Sequence, residues 1–131
     1  MHTETGQIRI LIVDDDEQIL HLLRAVLEQE GYAVDAVTDG YAALAAFNPD
    51  VHDLVITDIV MPGKEGIETI MELRALRSDL PVIAISGGGR IGAEEYLSWV
   101  RRCGVRHTFT KPLNRSDLLA AVEELVGQPV A

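Results

Sequence analysis

The chain is poor in cysteine: Cys103 is the only one in 131 residues, so an internal disulfide framework is excluded and a reducing compartment is expected. Positive charge is scarce, with 11 Lys plus Arg against 21 Asp plus Glu and a formal net charge of -10. Such a chain repels nucleic acid and anionic membrane at long range, and neither is expected as a partner. No apolar run approaches the length of a membrane span. Met1 to Gln7 lacks the basic start and apolar core of a signal peptide. Low-complexity tracts and repeats of solenoid period are missing too. What is present is globular composition, 47% apolar and 24% charged, in a length that suits one domain. A cytoplasmic globular chain is the expectation.

Short β-rich runs alternate with longer runs of helical period. Ile8 to Val13 is apolar enough for a strand buried on both faces. Ile19, Leu20, Leu23, Val26 and Leu27 then recur at helical spacing, and Gly31 closes that helix. Ala33 to Val37 is a second strand, and Asp39 to Asn48 a short helix stopped by Asn48-Pro49. Asp53 to Asp58 is the third strand; the turn Met61-Pro62-Gly63 leads to a helix carrying Ile67, Ile70, Met71 and Leu73. Pro81 to Ser86 is the fourth strand, with proline where a lost donor costs least. A glycine run follows, then a helix containing Tyr96, Leu97, Trp99 and Val100, and a fifth strand, Val105 to Thr110. Asn114 or Ser116 caps the last helix, whose apolar face is Leu118, Leu119, Val122 and Leu125. Five β–α units in series demand a parallel sheet with helices on both faces.

Ligands of open parallel sheets bind beyond the carboxyl ends of the strands. The first strand ends in Asp14-Asp15-Asp16, the third in Asp58, the fourth in Ser86 and the fifth in Thr110-Lys111-Pro112. With the first and third strands adjacent, three or four carboxylates meet at one rim. Two unit charges ~4 Å apart repel by ~4 kcal/mol at an effective dielectric of ~20, so such a cluster needs a counter-charge. Mg²⁺ suits a site of one or two direct carboxylates completed by waters and phosphate oxygens. Lys111 supplies a fixed positive charge for a phosphoryl oxygen, and Ser86 a hydroxyl that can donate to another. The chemistry suggested is phosphoryl transfer, with Asp58 as a carboxylate nucleophile forming an aspartyl phosphate. Acids at strand ends also serve as plain helix caps, a reading that stays open for Asp16 and Asp14.

The segments Ile10 to Asp16, Asp53 to Asp58 with Met61-Pro62-Gly63, Ala84-Ile85-Ser86 and Thr110-Lys111-Pro112, in this order, closely resemble the receiver domain of two-component response regulators, including the single-domain chemotaxis type. The resemblance covers roughly residues 8 to 127. It implies a flavodoxin-like α/β sandwich, a five-stranded parallel sheet in the order 2-1-3-4-5 with five helices on its two faces. It also implies that Asp58 accepts a phosphoryl group from a histidine kinase or histidine phosphotransfer protein. Asp15, Asp58 and the carbonyl of Val60 would bind Mg²⁺ directly, and Asp14 through water. Ser86 and Lys111 match the hydroxyl and lysine that contact the phosphoryl group, and Lys111-Pro112 the bond that is often cis in the family. A downstream target protein would read the switched surface, by family analogy the last two helices and the fifth strand, and the family offers homodimers through that face.

Two features depart from the pattern. The switch aromatic usual three residues before the lysine is Thr108 here, between His107 and Phe109. The stretch from Ser86 to Lys111 is also a few residues longer, near Gly87 to Gly92.

The resulting expectation is a tail at 1–7, a receiver domain at 8–127 and a short tail at 128–131, with no residues left for an output domain. The chain is then a single-domain phosphorylation-driven switch that catalyses only its own phosphorylation and dephosphorylation. Alternatives are a pseudo-receiver acting as a constitutive interaction module, and a small aspartyl-phosphate phosphatase, for which neither general acid nor substrate-covering cap is evident. Gly87 to Gly92 matches G-x-G-x-x-G, but it follows the fourth strand, and the next strand ends in Lys111 where a ribose-binding acid would be needed. His21 reads as a surface or helix-packing residue, His2 and His52 as loop residues, and Cys103, Tyr96 and Trp99 as packing residues. Arg101, Arg102 and Arg106 read as a solvated helix end.

Gly87 offers the candidate phosphorylation site little side-chain cover, so loss of the phosphoryl group to water should be quick. Replacing Gly87 by Ala should slow aspartyl-phosphate decay; an unchanged decay rate contradicts this.

Overall fold

A computed structural model describes residues 7–59, 66–87, 98, 101–102 and 104–129. Their elements run β1 (Arg9–Val13), α1 (Glu17–Glu30), β2 (Ala33–Val37), α2 (Gly40–Ala46), β3 (Leu54–Asp58), α3 (Gly66–Leu76), β4 (Val82–Ser86), β5 (His107–Thr110) and α4 (Arg115–Val126). The strands form one parallel sheet in the order β2-β1-β3-β4-β5, as the family resemblance implies. Four helices are seen among the described residues; the one expected around Tyr96, Leu97, Trp99 and Val100 lies outside them.

The side-chain alternation of the strands explains why their sequences read as unbroken apolar runs. Leu11 and Val13 of β1, Val55 of β3, and Val82 and Ala84 of β4 join Ala43 and Phe47 at α2 and Ile67, Ile70 and Leu73 of α3 on one face. Ile10, Ile12, Leu54, Ile56, Ile83 and Ile85 face the other way, toward Leu20, Leu23 and Leu27 of α1 and Leu118, Ala121 and Val122 of α4. Each fully buried Leu or Ile contributes roughly 2 kcal/mol of transfer free energy, so the two cores hold the sheet between them.

Caps fix the helix ends. Asp16 accepts from Gln18 N at 2.9 Å, so Asp16 is the cap of α1. Gly31 ends that helix at φ 106°, and its neighbour Tyr32 returns an N–H to the Leu27 carbonyl. Asp39 caps α2 through Ala42 N at 2.7 Å. For α4 the choice between two candidates falls on Asn114, which accepts from Asp117 N at 3.0 Å. The first and last helices are tied together as well. The Tyr32 hydroxyl donates to the Gly127 carbonyl at 3.0 Å, and Arg115 reaches Glu30 at 3.3 Å.

His52 lies between elements, as expected of a loop residue, yet only 3% of its surface is exposed. Its ring stacks on Phe47 at 5.8 Å, Nδ1 accepts from Asn48 N at 3.1 Å, and Nε2 meets Asp35 Oδ2 at 2.8 Å. Because Nδ1 accepts a main-chain N–H, the ring proton is assigned to Nε2, which donates to the carboxylate. Arg9 grips the other Asp35 oxygen at 3.0 Å, and Arg77 donates to the His52 carbonyl at 2.9 Å.

Partial burial works against the Asp35 carboxylate, but the His52 hydrogen bond and the Arg9 charge outweigh it and hold the carboxyl below its ordinary range. A depressed carboxyl stabilises the fold above its unfolded pKa, and that contribution fades as pH falls through the folded value. Wild type should therefore exceed Asp35→Asn in stability at neutral pH, by no more than about 1 kcal/mol given the exposure of the pair. Urea unfolding should show that difference shrinking below about pH 4; a difference that does not shrink contradicts the assignment.

Candidate functional site at the carboxyl edge of the sheet

Level strand ends bring the functional side chains together. Val13 pairs with Thr57, Asp58 with Ile85, and Ser86 with Thr110, so β1, β3, β4 and β5 stop at one rim. Asp14, Asp58, Ser86 and Lys111 sit at those four ends, and the Lys111 N–H donates to the Ser86 carbonyl at 2.9 Å, carrying the ladder one residue further.

Ligand oxygens of Asp14, Asp15 and Asp58 lie within 4.8 Å of one another. Asp14 and Asp58 are buried, at 1% and 4% exposure, whereas Asp15 faces solvent. The Lys111 ammonium lies 3.0 Å from Asp14 Oδ2 and 3.3 Å from Asp58 Oδ2. Its hydrogen-bonding contact with Asp14 is to Oδ1, at 3.4 Å, an atom that also accepts from Asp16 N at 2.8 Å. Asp14 Oδ2 therefore has the ion-pair contact but no hydrogen-bond donor. Ser86 Oγ is likewise buried without a hydrogen-bond partner. Leaving a buried polar atom unsatisfied costs about 1–3 kcal/mol, a cost that a ligand able to engage it would remove.

The charges explain the titration behaviour. Burial above all, helped by the neighbouring Asp58 charge, pushes the Asp14 carboxyl up, although the Asp16 N–H and Lys111 act the other way. Burial disfavours the Lys111 ammonium, but Asp14 and Asp58 outweigh it and raise its pKa above the ordinary lysine value. Among the described residues the site thus holds two buried acids and one exposed acid around the Lys111 ammonium. Three carboxylates with a buried, donor-less oxygen are a fitting donor set for a hard divalent cation.

The sequence reading named Asp14, Asp15, Asp58, Ser86 and Lys111, and the fold sets all five at this rim. The peptide joining Lys111 to Pro112 is cis. Val60, expected to offer its carbonyl, lies outside the described residues, as do Gly88 to Gly92. Thr108, at the position expected to carry an aromatic, is half-buried and accepts from Arg101 Nη2 at 3.2 Å. Arg101, Arg102 and Arg106 are all exposed, as expected of a solvated helix end, and Arg106 approaches Glu124 at 3.6 Å. Thr57 and Gly66, on either side of the Asp58 main chain, went unnoticed in the sequence; a glycine opening a helix right after a turn was the available signal.

A parallel sheet covered on both faces, with acids and a lysine at its carboxyl edge, defines an α/β domain of the flavodoxin-like class. The response regulator receiver domain model matches residues 10–123, and the chain belongs to that family. It is 30% identical over 129 residues to the transcriptional regulatory protein RprY of Bacteroides fragilis, covering 92% of this chain and 50% of RprY. The chain spans about half the length of the curated relatives it matches. A CheY-like receiver domain from Methanospirillum hungatei superposes with TM-score 0.81 at 32% identity, over 90% of this chain and 92% of that one. The response regulator TrrA of Thermotoga maritima, solved in complex with Mg²⁺ and BeF, does so with TM-score 0.79 at 34% identity, over 91% and 99% of the two chains.

Raised in the fold, the Asp14 carboxyl is easier to bury protonated than ionised. Its contribution to stability is therefore favourable only in acid, below the unfolded pKa, and turns into a penalty as pH rises through the folded value. In metal-free protein at pH 7, Asp14→Asn should melt a few degrees higher than wild type, with the gap closing toward pH 3. The same variant should bind Mg²⁺ at least about tenfold more weakly. A lower melting temperature at pH 7 contradicts the penalty.

Proposed function

We propose that the chain is a Mg²⁺-dependent phosphoryl acceptor whose nucleophile is Asp58. The observation that carries this reading is the buried Asp58 carboxylate, set with Asp14 and Asp15 in one oxygen cluster and contacted by the Lys111 ammonium at 3.3 Å. Asp14, Asp15 and Asp58 would hold the cation, which supplies charge neutralisation for the incoming phosphoryl oxygens. An Asp58 oxygen attacks the phosphorus of a phosphohistidine on a histidine kinase or histidine phosphotransfer protein. The new O–P bond forms as the N–P bond breaks, and the imidazole leaves with the electron pair of that bond. Lys111 pairs with a phosphoryl oxygen, and the Ser86 hydroxyl gains the acceptor it lacks by donating to another. The complex of TrrA with Mg²⁺ and BeF supports this direction of charge.

The phosphoryl group favours one of two conformations, and a protein target that binds them unequally reads the difference. Net charge of -10 argues against nucleic acid as a direct partner of this domain. Among the described residues no helix is long and apolar enough to cross a membrane. Reactivity confined to its own aspartyl phosphate, without turnover of other phosphoesters, completes the reading.

Acetyl phosphate with Mg²⁺ should label the protein to about one phosphoryl group per chain, and Asp58→Asn should abolish the label. Intact-mass measurement decides it; unlabelled wild type, or label persisting in the variant, rejects Asp58 as the acceptor. Turnover of a generic phosphomonoester would favour a phosphatase instead.

A further inference from the structure

The main chain of Asp58 is held from two sides by residues that touch neither cation nor phosphoryl group in the reading above. On one side the Thr57 hydroxyl, fully buried, donates to the Asp58 carbonyl at 2.9 Å. On the other, Gly66 at the first turn of α3 lies so close that a Cβ there would collide with the Asp58 carbonyl oxygen and with Ile59 Cα, and would stand 3.0 Å from the Asp58 carbonyl carbon. The obstacles are main-chain atoms, which cannot swing aside as a flexible side chain would. The Gly66 N–H also donates to the Ile59 carbonyl at 3.2 Å, and the Ile59 N–H to the Ile85 carbonyl at 2.9 Å. Asp58 is the last residue of β3, and the Ile59 N–H makes the ladder contact beyond it.

We propose that Thr57 and Gly66 are positioning residues for the phosphoacceptor, clamping the Asp58 carbonyl so that its carboxylate keeps its place beside Asp14 and Lys111. The inference rests on Asp58 being the acceptor. The geometry makes each half necessary. Without the Thr57 hydroxyl, a buried carbonyl loses a donor and the Asp58–Ile59 peptide is held by hydrogen bonding only through its N–H, on the Ile85 carbonyl. With any side chain at 66, β3 and α3 must separate. Rotation of that peptide moves the carboxylate of the same residue, and displacements near 1 Å are enough to cost ~100-fold where chemistry depends on placement.

The test compares wild type with Thr57→Val, Thr57→Ser and Gly66→Ala. Thr57→Val keeps the shape and removes the hydroxyl; Thr57→Ser keeps the hydroxyl and removes a methyl. Mg²⁺ affinity is measured by NMR titration, the rate of acetyl-phosphate labelling by intact mass, and the Asp58 carbonyl ¹³C shift in metal-free protein. Thermal melts run alongside. Thr57→Val should move the carbonyl shift and lose about tenfold in Mg²⁺ affinity and labelling rate, while Thr57→Ser stays within about twofold of wild type. Gly66→Ala should lose more than Thr57→Val.

The clamp is overturned if Thr57→Val binds and labels like wild type, or if Thr57→Ser is as impaired as Thr57→Val while both simply melt lower. Should Gly66→Ala fail to fold, the Thr57 pair decides. Wild type that neither binds Mg²⁺ nor takes label removes the acceptor reading and this inference together. Wild type that does both, with an unaffected Thr57→Val, removes only this inference.

Discussion

Two buried carboxylates, those of Asp14 and Asp58, share the Lys111 ammonium at the edge of a parallel sheet, with Asp15 on the solvent side. Lys111 alone cannot neutralise three anions, so the edge, among the described residues, is short of positive charge. The sheet beneath it is packed on both faces by Ile, Leu and Val, and the Asp35–His52 pair ties edge strand β2 to the segment that enters β3.

Much of this was legible because parallel strands buried on both faces write continuous apolar runs, and helices between them write a different period. The acids could be placed on one rim from the rule that parallel strands end on the same side, once β1 and β3 were taken as neighbours. Lys111 followed from the same rule, since it stands one residue past β5. A helix end was legible where a single residue type fitted, as at Gly31, and a cap was ambiguous where Asn114 and Ser116 competed.

What stayed hidden depends on approach through space. A histidine between elements has no periodicity to show that its ring is sealed against Phe47. The need for glycine at 66 arises from the passing Asp58 carbonyl, eight residues away along the chain. The Thr57 hydroxyl looked like one more β-branched strand residue, and nothing local distinguishes a donor to the next carbonyl from a side chain that merely packs. Thr108 was read only as a missing aromatic; its hydrogen bond from Arg101 is a contact between segments that no spacing rule relates.

The tie between the first helix and the last has a bearing on synthesis. The Tyr32 hydroxyl meets the Gly127 carbonyl across 95 positions of chain, and α4 joins α1 in the core on that face of the sheet. While the ribosome is still extending the chain, Ile83 and Ile85 have no lid, and the unfinished polypeptide carries a greasy, open-edged sheet. The domain can close only after residues 115–126 have left the exit tunnel, so early termination yields a sticky intermediate instead of a smaller working one, and ribosome-associated chaperones have a defined interval in which to guard it.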